Sequence, residues 1–145
     1  MLKGMYNRCK ISFDTELWNS TYKDTPLFYP SLTYGKVLKV YDGDTVTVAA
    51  RVHGGLYKWS IRIRGIDTPE MNSSDGVEKH KAQLAQQALQ QRLMPFSVGK
   101  IVYFEDVKYD KYGRILATLY HDGENIGNWL IGEGHAKEYN GGSKT

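Results

Sequence analysis

At 145 residues the chain has the length of about one domain, and 41% hydrophobic with 12% aromatic content excludes compositional disorder. A net charge of +3 favours a polyanionic partner only mildly and excludes a binder driven by charge alone. Cys9 is the only cysteine, so no intrachain disulfide can form, and the four histidines show no zinc-ligand spacing.

Residues 1–30 have weak periodicity and end at Pro26 and Pro30; they are expected to be an extension that wraps the core or hangs loose. No apolar run of signal-peptide length opens the chain and none approaches a membrane span, so an intracellular protein with no membrane partner is expected. Around Val37 and Val40 a strand leads into the turn Asp42-Gly43, a strong hairpin signal. Val46, Val48, Ala50 and Val52 then alternate with Thr45, Thr47, Ala49 and Arg51, which is the period of a strand. After the turn His53-Gly54-Gly55, a third strand is expected over Lys58 to Ile66, with Ile61 and Ile63 on one face and Arg62 and Arg64 on the other.

Met71 to Gly76 reads as a polar loop. From Val77 to Leu93 the period changes to that of a helix. Leu84, Ala85, Ala88, Leu89 and Leu93 form its apolar face, and Gln86, Gln87, Gln90 and Gln91 its polar face. Pro95 marks the end of that helix. Strands are expected over Ile101 to Val107 and Ile115 to Tyr120, joined by Tyr109 to Arg114 and followed by the turn Asp122-Gly123. Ile126, Trp129 and Leu130 make a short helix, with Gly134 just beyond its end. The order predicts a mainly β fold with helices: a five-stranded OB-type barrel, a long helix after strand 3 and a short C-terminal helix. The domain should cover 31–140, with 141–145 a loose tail, and the protein should be a monomer.

Three segments carry chemistry. Asp42-Gly43-Asp44-Thr45 is a tight turn whose second aspartate the turn itself does not need, whereas a hard cation needs anionic oxygen at a rigid strand end. In Asp67-Thr68-Pro69-Glu70 the proline stops the strand and sets the backbone after Thr68. That leaves the Asp67 carboxylate and Thr68 carbonyl to face a metal, with Glu70 close by. Arg62 or Arg64 supplies a cation for phosphate; spacing does not choose between them. Asp110-Lys111-Tyr112-Gly113-Arg114 is a polar turn that carries two cations and an aromatic face for a base.

Taken in order, these segments resemble the staphylococcal nuclease (thermonuclease) family: Asp-Gly-Asp-Thr, an arginine five residues before Asp-Thr-Pro-Glu, then Asp-Lys-Tyr-Gly-Arg. The likeness runs from about Gly35 to Ala136, including Gly76-Val77-Glu78-Lys79 and the closing Gly-His-Ala-Lys. It implies a calcium-dependent endonuclease acting on DNA and RNA, favouring single strands and leaving 3′-phosphate ends. It implies that Asp44, Asp67 and the Thr68 carbonyl hold calcium, and that Arg62, rather than Arg64, and Arg114 grip the scissile phosphate. Glu70 would orient or deprotonate the attacking water, while Lys111 and Tyr112 would hold the terminal phosphate and base. Two features depart from the family's pattern. The family's longer C-terminal helix is not matched, and neither is its pair of substrate-flanking tyrosines, near which only Tyr139 and Asn140 fall. The rival expectation is a non-catalytic OB-type module of the same family that binds nucleic acid or a peptide tail.

Overall fold

Alternation of β-branched residues with polar ones closes a barrel around a core made almost entirely of Val, Ile and Leu. In a computed structural model that describes residues 14–141, β1 (Tyr34–Val40), β2 (Thr45–Val52) and β3 (Gly55–Ile63) form an antiparallel meander. The chain then crosses over through α2 (Gly76–Leu93) to β5 (Ile101–Tyr109), β6 (Ile115–His121) and the two-residue β7 (Glu124–Asn125). β5 pairs with β1, and β6 returns to pair in parallel with β3, so five strands close on themselves. Closure leaves no long unpaired edge. Val37, Val46, Val48, Ile61, Ile63, Ile115, Ala117 and Leu119 fill the interior. Leu89 and Leu93 of α2, with Ile126 and Leu130 of α3 (Ile126–Gly132), complete this core.

Two elements differ from their expected bounds in ways that shape the site. The third strand does not run unbroken to Ile66. It stops at Ile63, turns at Arg64-Gly65 with Gly65 at φ +80°, and resumes as the two-residue β4 (Ile66–Asp67). β4 leaves the barrel to pair with β8 (Lys137–Glu138), and Tyr139 N–H adds a bond to the Gly65 carbonyl. The helix buries Ala82, Ala85, Leu89 and Leu93, and leaves Leu84 41% exposed. Small alanines let the helix approach the 41–45 turn closely, a demand that hydrophobic periodicity does not contain.

Other punctuation falls where the residue types place it. Asp75 caps α2 by accepting from Val77 N–H at 2.9 Å, and Pro95 follows just after the helix, where Phe96 and Ser97 take positive φ. His53-Gly54 and Asp122-Gly123 both take positive φ, as tight hairpin turns of this kind require. Gly134, at φ +79°, donates to the Ile131 carbonyl beyond the end of α3. Before the barrel, α1 (Thr15–Asn19) is short and exposed. Further on, Pro30 accepts a hydrogen bond from the Tyr109 hydroxyl and Tyr29 packs on the Tyr109 ring, tying this stretch to β5. Cys9 and residues 142–145 lie outside the described residues. No described helix is long and apolar enough to cross a membrane.

Candidate nuclease site

The turn between β1 and β2 is held against α2 and the 66–68 segment by glycine. A Cβ on Gly43 would stand 2.8 Å from Ala85 Cβ and 3.2 Å from Thr68 Cγ2, so only glycine lets these three elements meet without a shift. Gln86, from the polar face of α2, donates to the Tyr41 carbonyl at 3.1 Å and fixes the turn from the other side. Within the turn Asp42 Oδ1 accepts from Asp44 N–H at 3.0 Å, and Asp44 Oδ1 accepts from the Thr45 hydroxyl at 2.9 Å. The Asp44 carbonyl accepts from Ile63 N–H at 2.8 Å, which locks the turn to the end of β3.

This packing brings Asp44, Arg62 and Asp67 together. The same Arg62 terminal nitrogen lies 3.4 Å from Asp44 Oδ2 and 3.7 Å from Asp67 Oδ1. Asp44 and Thr68 are both buried. Burial first, and then the neighbouring Asp44 carboxylate, push the Asp42 carboxyl up from 3.8 to about 6. The turn thus concentrates acidic groups in a poorly solvated place and sets an arginine against two of them. Glu70 follows on the exposed loop after Pro69.

The donor set suits a hard cation. Asp44, Asp67 and the Thr68 carbonyl offer only oxygen, and Arg62 shows that the two carboxylates already accommodate positive charge between them. Among the described residues no three His, Cys, Asp or Glu side chains can hold a metal by themselves. A cation here would therefore draw on the backbone carbonyl and on water, as calcium sites commonly do.

A second group stands on the 110–114 loop. Asp110 Oδ1 accepts from the N–H groups of Tyr112 and Arg114, and Asp110 Oδ2 accepts from Arg114 Nε at 2.8 Å. Burial alone would raise the Asp110 carboxyl, but these bonds outweigh it and hold the group below its ordinary value. Gly113 supplies the positive φ that closes the turn. Lys111 lies over the Tyr112 ring, and that ring is 74% exposed. Arg114 immediately precedes Ile115, which pairs with Ile61 and faces the core. Arg114 therefore stands at the end of the 110–114 loop, next to the strand that pairs with β3.

Between the outer faces of β3 and β6 and the helix α3 runs a groove of about 790 Å³, lined by Arg62, Arg64, Leu116, Asn128, Tyr139 and Asn140 among others. Tyr139 and Asn140, which the sequence placed only near the expected aromatic positions, form part of its wall. The short β4–β8 pairing carries them there. Such a two-residue ladder has no sequence periodicity by which it could be found.

The chain matches the family model described as staphylococcal nuclease homologue over residues 60–145, more than half its length. The chain belongs to the staphylococcal nuclease family. Relatives include an uncharacterized protein of Methanocaldococcus jannaschii, 33% identical over 73% of this chain and 59% of that protein. A second, from Bacillus anthracis, is also uncharacterized and is 34% identical over 70% of this chain and 45% of its own. A third, from Haemophilus influenzae, is named an uncharacterized endonuclease and is 29% identical over 72% of this chain and 51% of its own. The chain thus spans about half the length of the curated relatives it matches. Staphylococcal nuclease homologues share the barrel with helices found here, and membership supports a nuclease-family function.

Two supports of this nuclease-family site escaped the sequence reading. Gln86 belongs to the polar face of the helix, yet it holds the Asp42 turn. Ala85 gives Gly43 room. No local signal marks either one, because their roles depend on where α2 docks.

Proposed function

We propose that this domain is a calcium-dependent endonuclease that cleaves DNA and RNA, favours single strands and leaves 3′-phosphate ends. The observation that carries the reading is the convergence of Asp44, Arg62 and Asp67 from three separate segments. A turn that served only to reverse the chain would have no reason to bury an aspartate against an arginine from β3.

Asp44, Asp67 and the Thr68 carbonyl are the groups that would hold the cation. Calcium, when bound, supplies charge neutralisation beside the anionic phosphate and an electrophilic partner for its oxygens. Arg62, drawn out of its pairing with the two aspartates, binds a phosphate oxygen through its planar fork. Arg114, on the 110–114 loop with its guanidinium held by Asp110, stabilises the charge that builds on the phosphorus oxygens. Glu70 orients the attacking water and accepts its proton as the new P–O bond forms. The bond to the 5′ oxygen breaks on the opposite side, that oxygen takes a proton from solvent to leave as the 5′-hydroxyl, and the phosphate stays on the 3′ end. Lys111 contacts the terminal phosphate and Tyr112 offers its exposed face to the base. The open groove beside Arg62 suits a single strand with splayed bases better than a duplex.

By analogy with other phosphoryl transfers, removing Arg62 should cost roughly 10³-fold or more in rate. Glu70→Gln should cost roughly 10²–10⁴-fold. The deciding experiment is cleavage of denatured DNA by the unaltered protein and by both variants, with calcium and with chelator. Calcium-dependent cleavage that collapses in both variants supports the assignment. Binding of DNA without cleavage by the unaltered protein favours the rival, a non-catalytic nucleic-acid or peptide-binding module. The presence of Arg62, Glu70 and Arg114 together with Asp44 and Asp67 in one chain favours the enzyme.

A further inference from the structure

Arg64 is the arginine that the catalytic assignment leaves unused. We propose that it binds a second phosphate of the substrate strand, one nucleotide from the scissile phosphate, in the groove between β3, β6 and α3. The inference rests on the nuclease reading and adds a subsite to it.

Three observations support it. Arg62 stands next to the end of β3 and Arg64 opens the turn that follows it, so the two arginines are set only two residues apart along the chain. Both line the same groove. Arg64 is also anchored: its Nη1 donates to the Asp106 carbonyl at 2.9 Å, and its backbone N–H donates to the Ala117 carbonyl at 2.9 Å. The side-chain bond uses one of five guanidinium N–H donors and sets the plane of the others.

The anchor itself is unusual. Asp106 takes φ +51° inside an irregularity of the β5–β6 pairing between Glu105 and Lys108. The bulge turns the Asp106 carbonyl out of the ladder and towards Arg64. Bulges of this kind re-aim groups at functional sites.

Charge in the groove gives Arg64 a part in holding a second phosphate there. Asp106 and Glu138 also line it, and Arg62 already faces Asp44 and Asp67. Arg64 offsets the Asp106 and Glu138 charges and carries further N–H donors on the groove wall. Along β6, Arg62 pairs with Leu116 and the Arg64 N–H bonds to Ala117, so Arg64 lies further from the 110–114 loop that carries Lys111 than Arg62 does.

The test uses a thymidine dinucleotide with one cleavable bond, alone or with one extra phosphate on its 5′ or its 3′ end. The unaltered protein should gain about 10- to 100-fold in kcat/KM from the extra phosphate on one of the ends. In Arg64→Gln that gain should vanish, while in Lys111→Gln it should survive. Arg64→Lys should keep much of it, which separates loss of charge from loss of the Asp106 contact. Melting temperatures of the variants check that each is folded. Separately, binding of an oligothymidine in chelator should lose about 0.7 from its log-log salt slope in Arg64→Gln. An Arg64→Gln protein that keeps every gain and the full salt slope would overturn the inference and leave the nuclease reading intact. Failure of the unaltered protein to cleave any of these substrates, or denatured DNA, would overturn both.

Discussion

Replacing Arg62 by glutamine should weaken the metal-free protein and, at the same time, increase what it gains from calcium. One Arg62 nitrogen faces Asp44 at 3.4 Å and Asp67 at 3.7 Å, and the three side chains are 19%, 11% and 28% exposed. At an effective dielectric constant of about 20, each pair carries a gross attraction of roughly 4–5 kcal/mol. Most of this offsets the desolvation of the charges, so the loss on removing the cation is set by the two carboxylates left facing each other. Breaking one partner of a buried pair costs about 3–5 kcal/mol; partial exposure of Asp67 lowers the expectation to about 2–4 kcal/mol. In the unaltered protein a bound cation must first displace Arg62. In Arg62→Gln nothing has to be displaced, so saturating calcium should restore much of the loss. Urea denaturation of both proteins, in chelator and in calcium, reads the two effects as shifts in midpoint at constant slope. Equal stability in chelator, or equal gains from calcium, would refute the idea that Arg62 and the metal compete for the same carboxylates.

Three further outcomes follow from the same geometry. Gly43→Ala should destabilise the fold by about 1–3 kcal/mol in thermal unfolding and weaken calcium binding by calorimetry, because the new methyl meets Ala85 at 2.8 Å. Asp42→Asn should stabilise the chelated protein at pH 7 by about 1–2 kcal/mol and leave it unchanged at pH 4. The Asp42 carboxyl keeps its proton to about pH 6 in the fold but only to about 3.8 when unfolded. Folded protein therefore binds more protons, and stability from this group, full below pH 3.8, is lost as pH rises through 6. A stability profile of the same slope in both proteins between pH 4 and 6 would disprove it. Asp110→Asn, which removes the charge holding Arg114 Nε, should lower kcat by roughly 10-fold and leave KM for short substrates little changed. An unchanged kcat would show that Arg114 needs no such anchor.

What the chain reveals before folding is uneven, and the reason is physical. Period-two valines over 45–52 and the alternation around Ile61 and Ile63 announce strands because one face of each is buried. The cap at Asp75 and the glycines at 54, 113, 123 and 134 announce turns and ends because local backbone geometry demands those residue types. Asp44, Arg62 and Asp67 were legible as chemistry because no turn or strand needs them. The structure brings these three together and buries Thr68 beside Gly43, while Arg114, Lys111 and Tyr112 form a separate group on their own loop. Long-range placement was not legible. The break at Gly65, the pairing of Ile66-Asp67 with Lys137-Glu138 and the support of the Asp42 turn by Gln86 all depend on how distant elements dock. Tyr139 and Asn140 reach the groove wall through that pairing, and Arg64 meets its anchor only because β5 bulges at Asp106.

The most direct test of the account is hydrolysis of denatured DNA by the unaltered protein, followed in calcium and again after chelation, with the new ends analysed. The account predicts cleavage in calcium, 3′-phosphate ends, and near-complete loss of activity with chelator that added calcium restores. Cleavage of equal rate in chelator, or DNA bound in calcium and left intact, would contradict it.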